Sequence, residues 1–187
     1  DLACVDGGDA ALALAAREGV SIEAMIGHHF QFDDELVART PKLRWVQSLT
    51  TGTDQIVALR ALGDDVVVTS TRGMHGPQMS ELVFLHMLAL ARDFPRMQRN
   101  QAAAAWERWP QPLLWGKTVT IVGVGAIAEA LAPRCKAFGM TVVGVSGTPR
   151  AIAGFDRVMA RSELAKAASL ADFLVLIVPL SPDTENL

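Results

Sequence analysis

Cysteine is scarce in this chain: Cys4 and Cys135 are the two in 187 residues, and they form no C-x-x-C pair. That pattern excludes a disulfide framework and a cysteine-built zinc site, and predicts buried free thiols in a reducing compartment. A basic surplus is missing as well. With 17 Lys and Arg against 20 Asp and Glu, the net charge is -3 and the isoelectric point about 5.8. Such a balance has no electrostatic footprint for nucleic acid or an anionic membrane surface. Long apolar runs are absent too. The longest, Leu82 to Ala91, is interrupted by His86 and falls short of the ~20 residues that cross a bilayer. With no signal peptide visible, the expectation is a cytoplasmic protein, although a chain beginning at Asp1 is expected to lack its true N-terminus.

What is abundant is apolar surface. Half of the residues are hydrophobic, enough for one large core or two small ones. From Asp1 to Val68, short apolar runs alternate with helical stretches: "LACVD", "DAALALAAREG", "IEAMIG", "DDELVART", "LRWVQSL", "TDQIVALRAL" and "VVVTS". This alternation predicts βαβ units around a parallel sheet. Gly19 is expected to stop a helix over Ala10 to Glu18, and Pro41 to follow one over Asp33 to Arg39.

The next segment, "GPQMSELVFLHMLALARDFPRMQRNQAAAAWERW", differs in kind. Pro77 suits a first helical turn, and from Met79 to Ala91 apolar residues cover every face, which predicts a helix buried all round at a domain junction or subunit interface. Pro95 should break or kink it. After the Pro-rich "WPQPLLWGK" a second series begins. Strands are predicted over Val119 to Val122 and Thr141 to Val145, helices over Ile127 to Phe138 and Ser162 to Ala168, and "DFLVLIVPL" as an apolar strand of the buried parallel kind.

The turn in "VTIVGVGAIAEALA" has the requirements of a phosphate binder. Gly123 allows a tight strand-to-helix turn, Gly125 lets a pyrophosphate approach the backbone, and the following helix start offers free amides and a positive dipole end. The fingerprint's third glycine is Ala128, whose one methyl weakens the match without removing it. Ile127, Ala130, Leu131, Cys135 and Phe138 recur at helical spacing, Gly139 supplies a stop, and Pro133 should kink the helix. The same turn also binds the methyl donor of methyltransferases. NAD enzymes place an acidic residue about 20 positions on, for the ribose 2′-hydroxyl. Here "VVGVSGTPR" offers Ser146, with Thr148 and Arg150 nearby, a hydroxyl and a cation that favour a 2′-phosphate and hence NADP over NAD. Arg150 as decoration of a solvated loop is the competing reading.

Taken together, "PKLRWVQSLTTGTDQI", "STRGMHGPQMSELVFLHMLALAR", "GKTVTIVGVGAIAEALAPRCKAFGMTVVGV" and "ADFLVLIVPLSPDTENL" make the chain resemble the D-isomer-specific 2-hydroxyacid dehydrogenases from about Leu36 onward. The resemblance implies an α/β protein of two Rossmann-like, doubly wound parallel-sheet domains, the second incomplete here. It implies a flavodoxin-like substrate domain over 1–76, interdomain and dimerisation helices over 77–110, and the first half of an NAD(P)-binding domain over 111–187. A homodimer through helix 79–91 and the dinucleotide domain is also implied. So is reduction of a small 2-keto acid, glyoxylate- or hydroxypyruvate-like, with NADPH or NADH.

Residue by residue, Thr51 and Gly52 fall where family members present backbone amides to the substrate carboxylate; adjacent amides of a Gly-containing turn form an anion nest. Read without the resemblance, "TTGTD" is equally a turn feeding a helix. Thr71 matches a position lining the nicotinamide end of the cleft. Ala126 and Ile127 match pyrophosphate contacts, with Ala126 standing where many members have Arg. Val178, Pro179 and Thr184 match the segment beneath the riboses.

The family's carboxylate-clamping Arg and its Glu-tuned His acid are expected beyond Leu187, so no catalytic residue is assigned within the chain, and no metal ligand. None of its four histidines matches the acid/base position. His75 in "RGMHGP" is the candidate substitute; His86 reads as a core or interface residue, and His28 and His29 as loop packing. The four tryptophans read as structural. A dinucleotide-binding regulatory module without catalysis is the alternative function, since corepressor-like members exist in the family.

Overall fold

The computed structural model describes residues 2–18 and 21–187, so the helix stop expected at Gly19 lies outside the described residues. The chain divides into two compact units, Asp1–Gly73 with Leu180–Leu187, and Met74–Pro179.

The first unit runs α1 (Gly8–Glu18), β1 (Ala24–Gly27), α2 (Asp34–Ala38), β2 (Trp45–Ser48), α3 (Asp54–Val57) and β3 (Val67–Ser70). Its strands are parallel in the order β1-β2-β3, with Met25, Val46 and Val68 in register. Val46 and Ile56 are fully enclosed by Ala15, Phe32, Leu36, Val37 and Leu43. The Asp33 carboxylate starts α2 by accepting from the Leu36 amide at 2.8 Å, satisfying one of the helix's orphan donors. Two expectations shrink here. "LACVD" forms no strand, and Leu2 is 86% exposed, because an apolar run becomes a strand only where a neighbour supplies its backbone hydrogen bonds. "TDQIVALRAL" keeps a helix only over Asp54–Val57. Cys4 is exposed, against the buried thiol expected.

The second unit runs α4 (Gly76–Arg92), α5 (Phe94–Ala102), β4 (Thr118–Val122), α6 (Ala126–Ala137), β5 (Thr141–Ser146), β6 (Arg157–Ala160), α7 (Leu164–Ser169) and β7 (Phe173–Leu176). All four strands are parallel, in the order β6-β5-β4-β7. The chain thus builds outward from β4 to β6 and then returns to the other side of β4, the topological switch of a doubly wound sheet. Val119, Ile121 and Val142 are fully buried against Leu131, Cys135 and Met140. Burial pushes the Cys135 thiol up to about 11.

Helix α4 packs on α6 through a close contact: a Cβ on Gly76 would stand 2.8 Å from the Ala130 methyl. Met87 and Ala91 join the core, but Leu82, Leu85 and Leu90 are 43%, 59% and 74% exposed and His86 is exposed. Burial on every face is therefore not met within this unit, nor is a core role for His86. Asp93, at φ 49, breaks the path between α4 and α5, and Pro95 lies in the first turn of α5 rather than kinking a single helix. The helix α6 is continuous through Pro133. It ends where Gly139 N bonds Lys136 O at 2.9 Å and Met140 N bonds Cys135 O at 3.1 Å, a Schellman closure that uses Gly139 at φ 70. Trp115 packs directly over Gly139 and Trp109 lies beneath Arg96, whereas Trp106 is 93% exposed.

Strand β6 was not foreseen, and the apolar run 172–180 is a strand only over Phe173–Leu176. It is an edge strand, with Leu174 and Leu176 49% and 56% exposed, instead of a buried one. At the amino ends of the strands, Asp172 accepts from Lys117 Nζ and the Thr118 amide, and Asp156 from Lys136 Nζ and the Val142 amide, all at 2.8 Å. These ammonium and amide donors hold both carboxyls below their ordinary range. The amino edge is thereby sealed, and the carboxyl edge carries the glycine turn.

Candidate dinucleotide turn and carboxylate loop

At the carboxyl end of β4 the two glycines have different tasks. Gly123 sits at φ 98, and a Cβ there would meet Ile177 O at 2.6 Å and Val178 Cγ1 at 2.8 Å. The chain leaving β7 thus lies against the turn, fastened by Ile177 N to Val122 O at 2.9 Å. Gly125 is extended and caps α6, with nothing within 4 Å of its missing Cβ. No side chain caps this helix, and its first internal bond runs from Glu129 N to Gly125 O at 2.9 Å. The amides of Ala126, Ile127 and Ala128 precede that bond and point out of the helix start. Ala128 is fully buried, so it occupies the helix-to-sheet contact that the third glycine would make, and its methyl fits. An open cradle over a glycine, beside free amides at the switch point of a parallel sheet, fits a pyrophosphate.

Ser146 ends β5. Its Oγ accepts from the Thr148 amide and bonds Thr148 O, both at 3.2 Å, closing a small turn that leads to Arg150. Arg150 Nη2 donates to Glu129 Oε1 at 3.2 Å, which ties the loop after β5 to α6. A shallow hollow of about 400 Å³ adjoins it, lined by Pro149, Ile152, Phe155 and Arg157 among others. Val178 reaches the glycine turn, and Pro179 closes the second unit; Thr184 belongs to the first, where its Oγ1 accepts from Ser181 N at 2.8 Å and it is 9% exposed.

In the first unit the carboxyl ends of the three parallel strands carry His28 and His29, the loop with Thr51 and Gly52, and Thr71. Thr51 and Gly52 are exposed, and their loop is pinned from below. Fully buried Ser48 Oγ lies 2.9 Å from Thr50 Oγ1, and Thr50 Oγ1 donates to Gly52 O at 3.1 Å. His29 Nδ1 is 3.1 Å from the same Thr50 hydroxyl, so His29 does more than pack a loop. Its ring also meets Phe30 edge-on, while His28 stacks on Phe30. His75, at the start of α4 in the second unit, lies 2.9 Å from Gln78 Nε2 through its Nδ1. Sequence reasoning missed Ser48, Thr50 and Glu129. The first two adjoin "TTGTD", and only their hydroxyl chemistry could have marked them.

Among the described residues no cluster of His, Cys, Asp or Glu could hold a metal, and no helix is long and apolar enough to cross a membrane.

Residues 84–187 match the sequence model of the D-isomer specific 2-hydroxyacid dehydrogenase NAD binding domain, more than half of the chain. The chain belongs to that family. Among curated dehydrogenase relatives, the glyoxylate reductase of Thermococcus litoralis is 30% identical over 165 residues, covering 83% of this chain and 50% of that protein. Among solved structures, a D-isomer specific 2-hydroxyacid dehydrogenase family protein from Aeromonas salmonicida superposes with a TM-score of 0.86 at 34% identity, over 96% of this chain and 56% of the other. An NADPH-dependent glyoxylate/hydroxypyruvate reductase from Sinorhizobium meliloti, in complex with NADP and sulfate, gives 0.78 at 28% identity, over 88% and 51%. The chain therefore spans about half the length of such relatives.

Proposed function

We propose that this chain is the substrate-binding part and the first dinucleotide-binding half of an NADPH-preferring reductase of small 2-keto acids, glyoxylate or hydroxypyruvate. The observation that carries the reading is the open cradle over Gly125, beside the unbonded first amides of α6 and followed at the end of β5 by Ser146 and Arg150 in place of a carboxylate. A bound nicotinamide supplies a hydride to the keto carbon. Gly125 admits the pyrophosphate, and Ala126 and Ile127 donate amides to it, with no guanidinium at position 126 to add charge. Ser146 and Arg150 hold the 2′-phosphate, where a carboxylate would repel it. The amides of Thr51 and Gly52 form the nest for the substrate carboxylate, with Thr50 fixing the loop's shape. Thr71, Val178, Pro179 and Thr184 complete the cofactor contacts. Residues 1–76 serve the substrate, 77–110 join and dimerise, and 111–187 begin the dinucleotide domain. The S. meliloti reductase, bound to NADP, supports the cofactor choice.

The test is oxidation of NADPH and of NADH by the full-length protein with glyoxylate and with hydroxypyruvate, alongside equilibrium binding of both cofactors. Turnover with NADPH ahead of NADH is expected. Cofactor binding without turnover would overturn the catalytic reading in favour of a regulatory dinucleotide-binding module.

A further inference from the structure

Arg150, the cation on which the NADP preference rests, already has an anionic partner. Its Nη2 lies 3.2 Å from Glu129 Oε1, with the two side chains 57% and 46% exposed. Glu129 is placed there by two constraints. Its amide makes the first internal bond of α6, to Gly125 O at 2.9 Å, so its backbone is fixed relative to the glycine turn. Neighbouring Ala128 is fully buried, which directs position 129 outward to the loop after β5. A 2′-phosphate recruited by Arg150 must then share or displace that carboxylate. Two anions around one guanidinium repel each other, so the carboxylate opposes the 2′-phosphate at Arg150.

We propose that Glu129 is a specificity-determining residue that holds Arg150 away from the 2′-phosphate and so lowers affinity for NADP(H) while leaving NAD(H) untouched. The inference rests on the reading of Arg150 as the 2′-phosphate ligand. Its size follows from the class of interaction. Releasing an exposed ion pair corresponds to about a two- to fivefold change in Kd. Salt screens both the pair and the repulsion, so the effect shrinks as ionic strength rises. Ser146, whose hydroxyl bonds Thr148 within its own turn, is expected to contribute equally in either case.

The experiment is equilibrium titration of the full-length protein with NADPH and with NADH, for the wild type, Glu129→Gln, Glu129→Ala, Arg150→Ala and the double variant Glu129→Ala with Arg150→Ala. The alanine change removes any hydrogen bond that glutamine would keep to Arg150. The expected result is NADPH bound about two- to fivefold more tightly by Glu129→Ala, NADH unchanged, and no gain from Glu129→Ala once Arg150 is gone. If Arg150→Ala weakens NADPH but the Glu129 variants leave NADPH unchanged or weaken it, the carboxylate does not compete and this proposal falls while the NADP reading stands. If Arg150→Ala leaves the NADPH to NADH ratio unchanged, the NADP reading falls and takes the proposal with it.

Discussion

Two glycines separated by one residue show how differently the same residue type is used. At Gly123 the backbone has φ 98 and the space for a Cβ is filled by Ile177 O, so an alanine incurs both a left-handed strain and a backbone collision. At Gly125 the backbone is extended and the space is open. Gly123→Ala is therefore expected to destabilise the fold by about 2–4 kcal/mol. Gly125→Ala should change stability by less than about 0.5 kcal/mol yet weaken NADPH binding at least about tenfold, because its methyl would stand where the pyrophosphate is proposed to approach. Urea denaturation and cofactor titration of both variants measure the two effects. Equal stability losses, or unimpaired NADPH binding by Gly125→Ala, would contradict this division. The fingerprint was legible as G-x-G, and the separate tasks of its two glycines with it, but the contact that bars a side chain at Gly123 was not, since it comes from Ile177 and Val178, more than fifty positions away in the chain. The same holds for the partner of Arg150, which no short-range pattern marks as Glu129.

At the scale of elements, what could be read depended on what each segment needs from the rest of the fold. The strands β4 and β5 and the helix α6 appear within a residue or two of their predicted bounds, because each is long, apolar at the right period, and closed by glycine chemistry. Strand β6, "RVMA" between charged flanks, shows no periodic signal and is a strand because β5 pairs with it from Val143 to Ser146. Asp156 and Asp172, each one residue before a strand, help set that pairing by accepting from the backbone at the start of β5 and of β4. Their lowered carboxyls contribute stability that is complete above the ordinary carboxylate range and disappears as pH falls through the lowered folded values. Both side chains are more than a third exposed, so screening reduces the worth of their lysine pairs, and the amide bonds dominate. Asp156→Asn and Asp172→Asn should each destabilise by about 0.5–1.5 kcal/mol at neutral pH. The difference from wild type should shrink as pH falls below the ordinary carboxylate range and vanish only once pH has passed below the lowered folded values, where the native wild-type carboxyls are protonated too. Urea unfolding midpoints measured from pH 2.5 to 7 check the sign; a difference that persists unchanged at the acid end would assign these residues a role other than their charge.

For the whole molecule, the question is what covers the outward side of α4. Leu82, Leu85 and Leu90 follow one another by three and five positions, which sets them on one arc of the helix, away from the face that buries Met87 and Ala91. The sequence marked this helix as apolar on all faces, and a single chain covers only part of it. The proposed homodimer supplies the missing cover, and its symmetry has a consequence that a mutation can read. In a two-fold interface a residue meets the partner's copy of the same patch, so one substitution acts twice. Leu85, 59% exposed, can be replaced without opening a cavity in the chain's own core. Leu85→Glu should therefore leave circular dichroism and the unfolding transition of the protomer nearly unchanged while converting a dimer to a monomer in sedimentation at micromolar concentration. A wild-type protein that is already monomeric under those conditions, or a Leu85→Glu variant that still sediments as the dimer, would show that this face of α4 is not the dimer contact.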